Sequence, residues 1–134
     1  MEENIRNTDG IDLDAYLAAH DAFDSGIAHM NNQKWENAIA SFIESARSNP
    51  RSPKPYGNIG LCHAKLDRMD EAMEAFDKAL ELDPDYEPVI INRASLSGGS
   101  KLPDGPIPMI EYAKDYQMKG KSLLSELWDR IRGR

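Results

Sequence analysis

The sequence of 134 residues has a single cysteine, Cys62, so no disulfide can form within the chain. It has no apolar run near the roughly 20 residues of a membrane-spanning helix. Its first residues lack the basic start and apolar stretch of a secretory signal. Acidic residues outnumber basic ones by 23 to 16, and the net charge of −7 suits nucleic acid poorly. We therefore expect a cytoplasmic protein that binds neither a membrane nor a nucleic acid.

Patterns for catalysis and metal binding are also lacking. No nucleophile, base and acid stand at a spacing typical of an active site. Residues 119–122 resemble the end of a phosphate-binding loop, but Asp115 stands where that loop needs glycine. His29 and His63 are the candidate metal ligands, and we interpret them as packing side chains. The sequence thus predicts a protein that is not an enzyme and carries no metal or cofactor.

What the sequence does contain is a repeat with a period of 34 residues, the difference between positions 26 and 60. A period of this length is typical of helix–turn–helix units that stack into a solenoid. Apolar residues recur three and four positions apart within each unit, which predicts amphipathic helices. Five pairs of residues keep the period: Gly26 and Gly60, His29 and His63, Ala38 and Ala72, Phe42 and Phe76, and Pro50 and Pro84.

Most of the repeated residues have an expected role in packing. Gly26 and Gly60 are predicted to let two helices cross closely, since a larger side chain would force them apart. Phe42 and Phe76 are expected to fill the space between neighbouring hairpins. The proline of each unit ends its second helix. Cys62 is expected to be a buried, inert thiol.

These residues resemble the tetratricopeptide repeat, whose pattern is approximately W-x2-L-G-x2-Y, then A-x3-F, then P. Residues 56–63 fit the first part, and Ala72, Phe76 and Pro84 complete it. Residues 22–50 fit the pattern more loosely. The resemblance implies an all-α fold, in which antiparallel helix hairpins form a short right-handed superhelix of about three units. It also implies a protein that binds other proteins.

The predicted organisation is a single domain over residues 1–134. Asp12 or Asp14 can cap its first helix. The third repeat is degenerate, because consecutive glycines at 98 and 99 are poor helix formers. The parts are 1–18, an N-terminal extension and helix start; 19–52, repeat 1; 53–86, repeat 2; 87–118, degenerate repeat 3; and 119–134, a C-terminal capping helix.

The predicted capping helix carries an apolar stripe that would be unusual if it were exposed on a monomer. We expect the stripe to cover repeat 3, in a helix that continues past Gly120. The alternative is that it pairs with a second copy of the chain to form a homodimer. The stripe consists of Leu124, Leu127, Trp128 and Ile131.

The resemblance also implies a concave groove lined by the first helix of each unit. Asp24, Asn58 and Asn92 keep the repeat period there, and an asparagine can both donate to and accept from the backbone of an extended peptide. The alternative is that these residues are polar groups on an exposed helix face. Apolar neighbours suggest pockets along the groove. The predicted groove residues are Phe23, Asp24, Ile27, Asn58, Leu61, Lys65 and Asn92.

The sequence therefore predicts a non-enzymatic adaptor that binds a peptide segment of a partner protein in this groove. Some proteins of the resembled family clamp a C-terminal carboxylate, but only Asn58 matches that clamp here. Two alternatives stay open. The chain is an accessory or regulatory subunit, or a fragment, of an enzyme complex, or it is a scaffold that forms homo-oligomers through its C-terminal helix.

Overall fold

The computed structural model describes residues 12–97, 109, 117–118 and 121–122. Within these residues the helices pack in chain order, and two successive hairpins are joined by contacts between the second helix of one and the first helix of the next. This arrangement confirms the all-α fold of helix hairpins. The helices are α1 Leu13–Asn31, α2 Trp35–Ser48, α3 Lys54–Lys65, α4 Met69–Leu82 and α5 Glu87–Ser97, and two short strands follow, β1 Gln117–Met118 and β2 Lys121–Ser122.

Helix α1 begins at an aspartate cap. The side chain of Asp12 accepts a hydrogen bond from the backbone N–H of Ala15 at 3.3 Å. This bond satisfies one of the free N–H groups of the first turn. Asp14 lies inside the first turn, where its carboxylate is favoured by the helix dipole. Of the two predicted caps, Asp12 is therefore the one used.

The α1–α2 and α3–α4 hairpins turn with the same backbone geometry. Gln33 and Asp67, one period apart, have positive φ angles of 58° and 61°. The residue after each donates its backbone N–H to the carbonyl of His29 or His63, in both cases at 2.9 Å. This is the Schellman arrangement, which satisfies carbonyls at a helix end. The sequence repeat is thus also a repeat of turn conformation.

Each of these hairpins is closed by a phenylalanine ring over a glycine. The ring of Phe42 fills the volume that a β-carbon on Gly26 would need, and Phe76 does the same at Gly60. The close crossing predicted at the glycines is present. Each ring packs on the glycine of its own hairpin, and the packing predicted between neighbouring hairpins stays a prediction. Phe42 also meets Phe23 of α1 edge-on, with ring centroids 5.3 Å apart.

Charged pairs link successive hairpins at the surface. Two guanidinium nitrogens of Arg68, just before α4, donate to the carboxylate of Glu36 in the first turn of α2. The hydrogen bond from Arg68 lowers the pKa of Glu36 below its ordinary value. Between α4 and α5, Arg93 donates from Nε to Oδ1 of Asp77 at 2.6 Å. Both pairs are exposed, so each contributes little to stability.

The chain after α5 departs from the prediction. Gln117 pairs with Ser122 and Met118 with Lys121 in an antiparallel ladder. A continuous helix past Gly120 is therefore wrong for residues 117–118 and 121–122, since antiparallel pairing requires extended backbone in both strands. The apolar stripe of the predicted capping helix, from Leu124 to Ile131, lies outside the described residues. The same is true of the N-terminal extension up to residue 11.

Candidate peptide-binding site

The face of α3 that carries Asn58 is covered by a distant part of the chain. The side-chain Nδ2 of Asn58 donates to the backbone carbonyl of Met109 at 2.7 Å. Its Oδ1 accepts from the backbone N–H of the same residue at 3.0 Å. The two bonds match the exchange between facing residues of antiparallel strands. Asn58 thus binds the backbone N–H and C=O of one residue, which are groups that every residue except proline carries.

The side chain of Met109 occupies a space that exists because residue 57 is glycine. A β-carbon on Gly57 would collide with the sulfur of Met109 and would stand 3.0 Å from Cγ2 of Val89 on α5. Met109 is only 3% exposed. One period before and after Gly57 the sequence has Phe23 and Ile91. Among these three positions, the space is therefore specific to α3.

Two further polar side chains, one on α3 and one on α5, are buried. Asn92 of α5 is 0% exposed, as is Asn58. The alternative that these asparagines lie on an exposed helix face is therefore wrong for both. Lys54, one turn before Asn58, is 2% exposed. Lysine is seldom buried, because removing the ammonium group from water costs free energy.

Asp24, the third member of the polar series, is separate from this site. Its carboxylate is exposed on α1, and Nδ1 of His20 lies 3.4 Å from it. The alternative of an exposed polar group therefore fits Asp24. Within the series, Asn58 is joined to the backbone of Met109 by two hydrogen bonds.

The apolar and basic members of the predicted groove have different surroundings. Phe23 and Leu61 are core side chains in this structure, and Ile27 packs against that core while partly buried. Lys65 is exposed, with its Nζ 5.9 Å from the ring centroid of Trp35 on α2. An incoming peptide would reach Phe23 or Leu61 only after the core repacked. Their assignment to the groove stays a prediction.

An open groove of about 760 Å³ lies beside α4, away from Asn58. Apolar side chains such as Ile59 and Met73 form part of its lining. His63 also lines it, and burial lowers the pKa of this imidazole. The acidic rim would repel an acidic ligand. Its charged residues are Asp70, Glu71, Glu74, Asp77, Glu81 and one lysine, Lys78.

Cys62 lies on α3 with Asn58, and its thiol lies in the core. The side chain is fully buried, and burial raises its pKa to about 12. The thiolate that acts as nucleophile or metal ligand is therefore scarce at neutral pH. Across the described ranges, no group of three or more His, Cys, Asp or Glu side chains is placed to hold a metal ion.

None of the helices in the described part of the chain combines the length and the apolar character needed to span a bilayer.

Comparison with known protein families agrees with the fold. The model of the tetratricopeptide repeat matches residues 53–86, which comprise α3, α4 and the Asn58 site. The chain contains a tetratricopeptide repeat. The matched segment is the one predicted as repeat 2. Repeats of this kind stack into surfaces that bind other proteins, so the chain carries a protein-binding type of module.

Related segments occur in larger proteins. The chain is 32% identical over 63 residues to Hsp70-Hsp90 organizing protein 2 of Arabidopsis thaliana, covering 47% of this chain and 11% of that protein. It is 33% identical over 76 residues to mitochondrial import receptor subunit TOM70 of Saccharomyces cerevisiae, covering 57% and 12%. It is 30% identical over 74 residues to U-box domain-containing protein 70 of Oryza sativa subsp. japonica, covering 55% and 9%. The chain therefore spans about a tenth of the length of these relatives.

Sequence reasoning missed Met109 and Gly57 as parts of the site. The available signal was Gly57, because glycine inside a helix costs about 1 kcal/mol relative to alanine and so calls for a packing reason. Met109 gave no local signal, since its contact with Asn58 spans 51 residues.

Proposed function

We propose that this chain is a non-enzymatic protein-binding module that holds an extended segment of a partner protein along α3 and α5. The proposal rests on the two hydrogen bonds, of 2.7 and 3.0 Å, between Asn58 and the backbone of one residue. Asn92 stands one period later on α5 and is likewise fully buried, so it would bind the backbone of a second partner residue only after the groups around it moved. Backbone recognition of this kind leaves side-chain specificity to the neighbouring apolar spaces.

The relatives support the protein-binding class. As their names state, one organizes Hsp70 and Hsp90, and another is a subunit of a mitochondrial import receptor. By analogy we propose an adaptor role for this chain, with the partner protein to be identified. Because only Asn58 matches the clamp for a C-terminal carboxylate, we propose an internal segment of the partner as the ligand. A backbone N–H and C=O of one residue are available anywhere along a chain.

The test is affinity purification from the source cell with four forms of the chain as bait. These are the wild type, Asn58→Ala, Asn92→Ala and the control Asn37→Ala, which changes an exposed asparagine on α2. The expected partner is retained by the wild type and the control and is lost from the other two. Circular dichroism checks that each bait is folded. A partner retained equally by all four would overturn the proposal.

A calorimetric titration then measures the affinity of the mapped partner peptide. Asn58→Ala is expected to weaken binding by more than about tenfold, or about 1.4 kcal/mol. The site uses uncharged groups, so the affinity should change little between low and high salt. A basic segment in the acidic groove beside α4 would instead dissociate as salt screens the attraction. Strong salt dependence would therefore place the partner in that groove.

Compartment and oligomeric state also belong to the proposal. We place the protein in the cytoplasm, where a thiol such as Cys62 stays reduced. A homodimer through the stripe that contains Trp128 is the alternative mode of association. Sedimentation equilibrium distinguishes a monomer from this homodimer. A dimer would have twice the mass of the chain in the wild type, and Trp128→Ala would return it to the mass of a monomer.

A further inference from the structure

We propose that Met109 is a built-in competitor at the Asn58 site. A partner displaces it with a residue whose backbone binds Asn58 and whose side chain is apolar and unbranched. This inference rests on the proposed function, and it adds what regulates the site and which residue the partner presents. It follows from the backbone contact, the side-chain space and the chain connection of Met109.

The backbone contact makes binding of Met109 and binding of a partner mutually exclusive. Asn58 donates to the Met109 carbonyl and accepts from the Met109 N–H, so one residue lies directly across the whole side-chain amide. A partner residue can make the same pair of bonds only after Met109 has left. The occupied state is buried, since neither residue is more than 3% exposed.

The side-chain space defines the kind of residue that fits. The sulfur of Met109 lies against the backbone of Gly57, and Cγ2 of Val89 lies close to the same position. A methionine side chain is long, unbranched and flexible, so it can bend into a narrow space. A β-branched residue carries two heavy atoms on Cβ and few rotamers, so it is expected to fit less well.

The chain connection keeps the competitor at a high local concentration. Helix α5 ends at Ser97, and Met109 follows after a connection of residues 98–108. A short connection of this kind gives an effective concentration on the order of millimolar. Residues 103, 106 and 108 are prolines, which lack a backbone donor and lose less entropy on binding. The apparent affinity for a partner is therefore the intrinsic affinity multiplied by the fraction of sites that Met109 leaves free.

The first experiment uses a fluorescent peptide with the chain's own sequence of residues 103–113 as the probe. Anisotropy measures its binding to the wild type, to Met109→Asp and to the matched control Met118→Asp. Removing the competitor should tighten binding by about tenfold or more, because aspartate is unfavourable in the apolar space. Met118→Asp should bind the peptide as the wild type does. Equal affinities for all three proteins, or no binding to any of them, would overturn the inference.

The side-chain preference is tested with variants of the same peptide. Norleucine in place of methionine should bind within about twofold, since it has the same unbranched shape. Valine or aspartate at that position should weaken binding by about tenfold. Equal binding of the norleucine, valine and aspartate peptides would remove the assignment of the side-chain class.

A second measurement observes displacement in the wild-type chain, and so does not depend on the folding of Met109→Asp. Methionine methyl groups labelled with ¹³C report their surroundings by NMR. The Met109 methyl signal should move from its buried position towards that of a free methionine as the peptide is added. A signal that stays in place while the peptide binds would overturn the inference.

The two proposals fail in different ways. A natural partner that needs Asn58 but binds the wild type and Met109→Asp equally would leave the proposed function standing and remove the competitor. A natural partner that ignores Asn58 would remove the proposed function, while the peptide and methyl experiments would still report on Met109.

Discussion

The ring of Phe76 lies against the backbone of Gly60, in the volume that a β-carbon at position 60 would occupy. The same relationship holds one period earlier between Phe42 and Gly26. Because the ring packs directly on the backbone, the two helices of a hairpin lie closer together than they could if the glycine were replaced by any other residue. The α3–α4 hairpin that supports Asn58 therefore depends on this contact.

The variant Gly60→Ala is expected to destabilise the chain by about 1–3 kcal/mol, because the added methyl overpacks the helix crossing. This outcome is opposite to helix propensity, which favours alanine by about 1 kcal/mol. Urea unfolding measures the difference. In a Phe76→Leu background the same change should cost less, since the ring is absent and the two effects are coupled. A more stable Gly60→Ala chain would contradict the packing argument.

The variant Asn58→Ala is expected to lower the free energy of unfolding by about 1–3 kcal/mol. It leaves the buried N–H and C=O of Met109 without their partner, and each such group costs free energy. If Asn58 were exposed, its replacement by alanine would be expected to leave the free energy of unfolding unchanged. Thermal or urea unfolding measures the loss, and Asn37→Ala on the surface of α2 should stay within about 0.5 kcal/mol of the wild type. Equal stability of the two variants would argue against the Met109 contact.

The thiol of Cys62 is expected to resist modification while the chain is folded. It is fully buried with a pKa of about 12, so both access and thiolate are lacking at neutral pH. Absorbance of the thiolate released from a disulfide reagent measures the rate, in buffer and in urea. The rate should rise sharply on unfolding. Fast labelling in buffer, at the rate of an exposed cysteine, would contradict the buried position.

The ion pair between Glu36 and Arg68 gives stability a dependence on acid pH. The folded pKa of Glu36 lies below the reference value of 4.5 because Arg68 hydrogen-bonds its carboxylate. The pair therefore stabilises the fold above pH 4.5, and this contribution is lost as the pH falls through the lowered folded value. Urea midpoints of the wild type and Glu36→Gln should converge over that window. In an Arg68→Ala background the difference between the two forms should become smaller, because the largest cause of the lowered pKa is gone.

Local signals predicted most of the helical structure. The bounds of α2 and α4 follow from apolar residues at helical spacing and from the proline that ends each unit. The sequence offered two candidate caps for α1, Asp12 and Asp14, because either aspartate could accept a hydrogen bond from the first turn. The hydrogen bond from Ala15 identifies Asp12 as the cap. The helix predicted past Gly120 was wrong for the residues that form β1 and β2. Repeat register alone could not show that the chain there is extended.

The sequence by itself determined the repeating hairpin, because each unit packs mainly on residues within one period of itself. The glycine and phenylalanine of a hairpin lie 16 positions apart, as 76 is from 60, and their pairing recurs. The sequence also placed Asn58 on the face predicted for ligand binding. Only the tertiary structure decided what occupies that face. The contact between Asn58 and Met109 crosses 51 residues, so it depends on the path of the chain after α5, which no periodic pattern encodes.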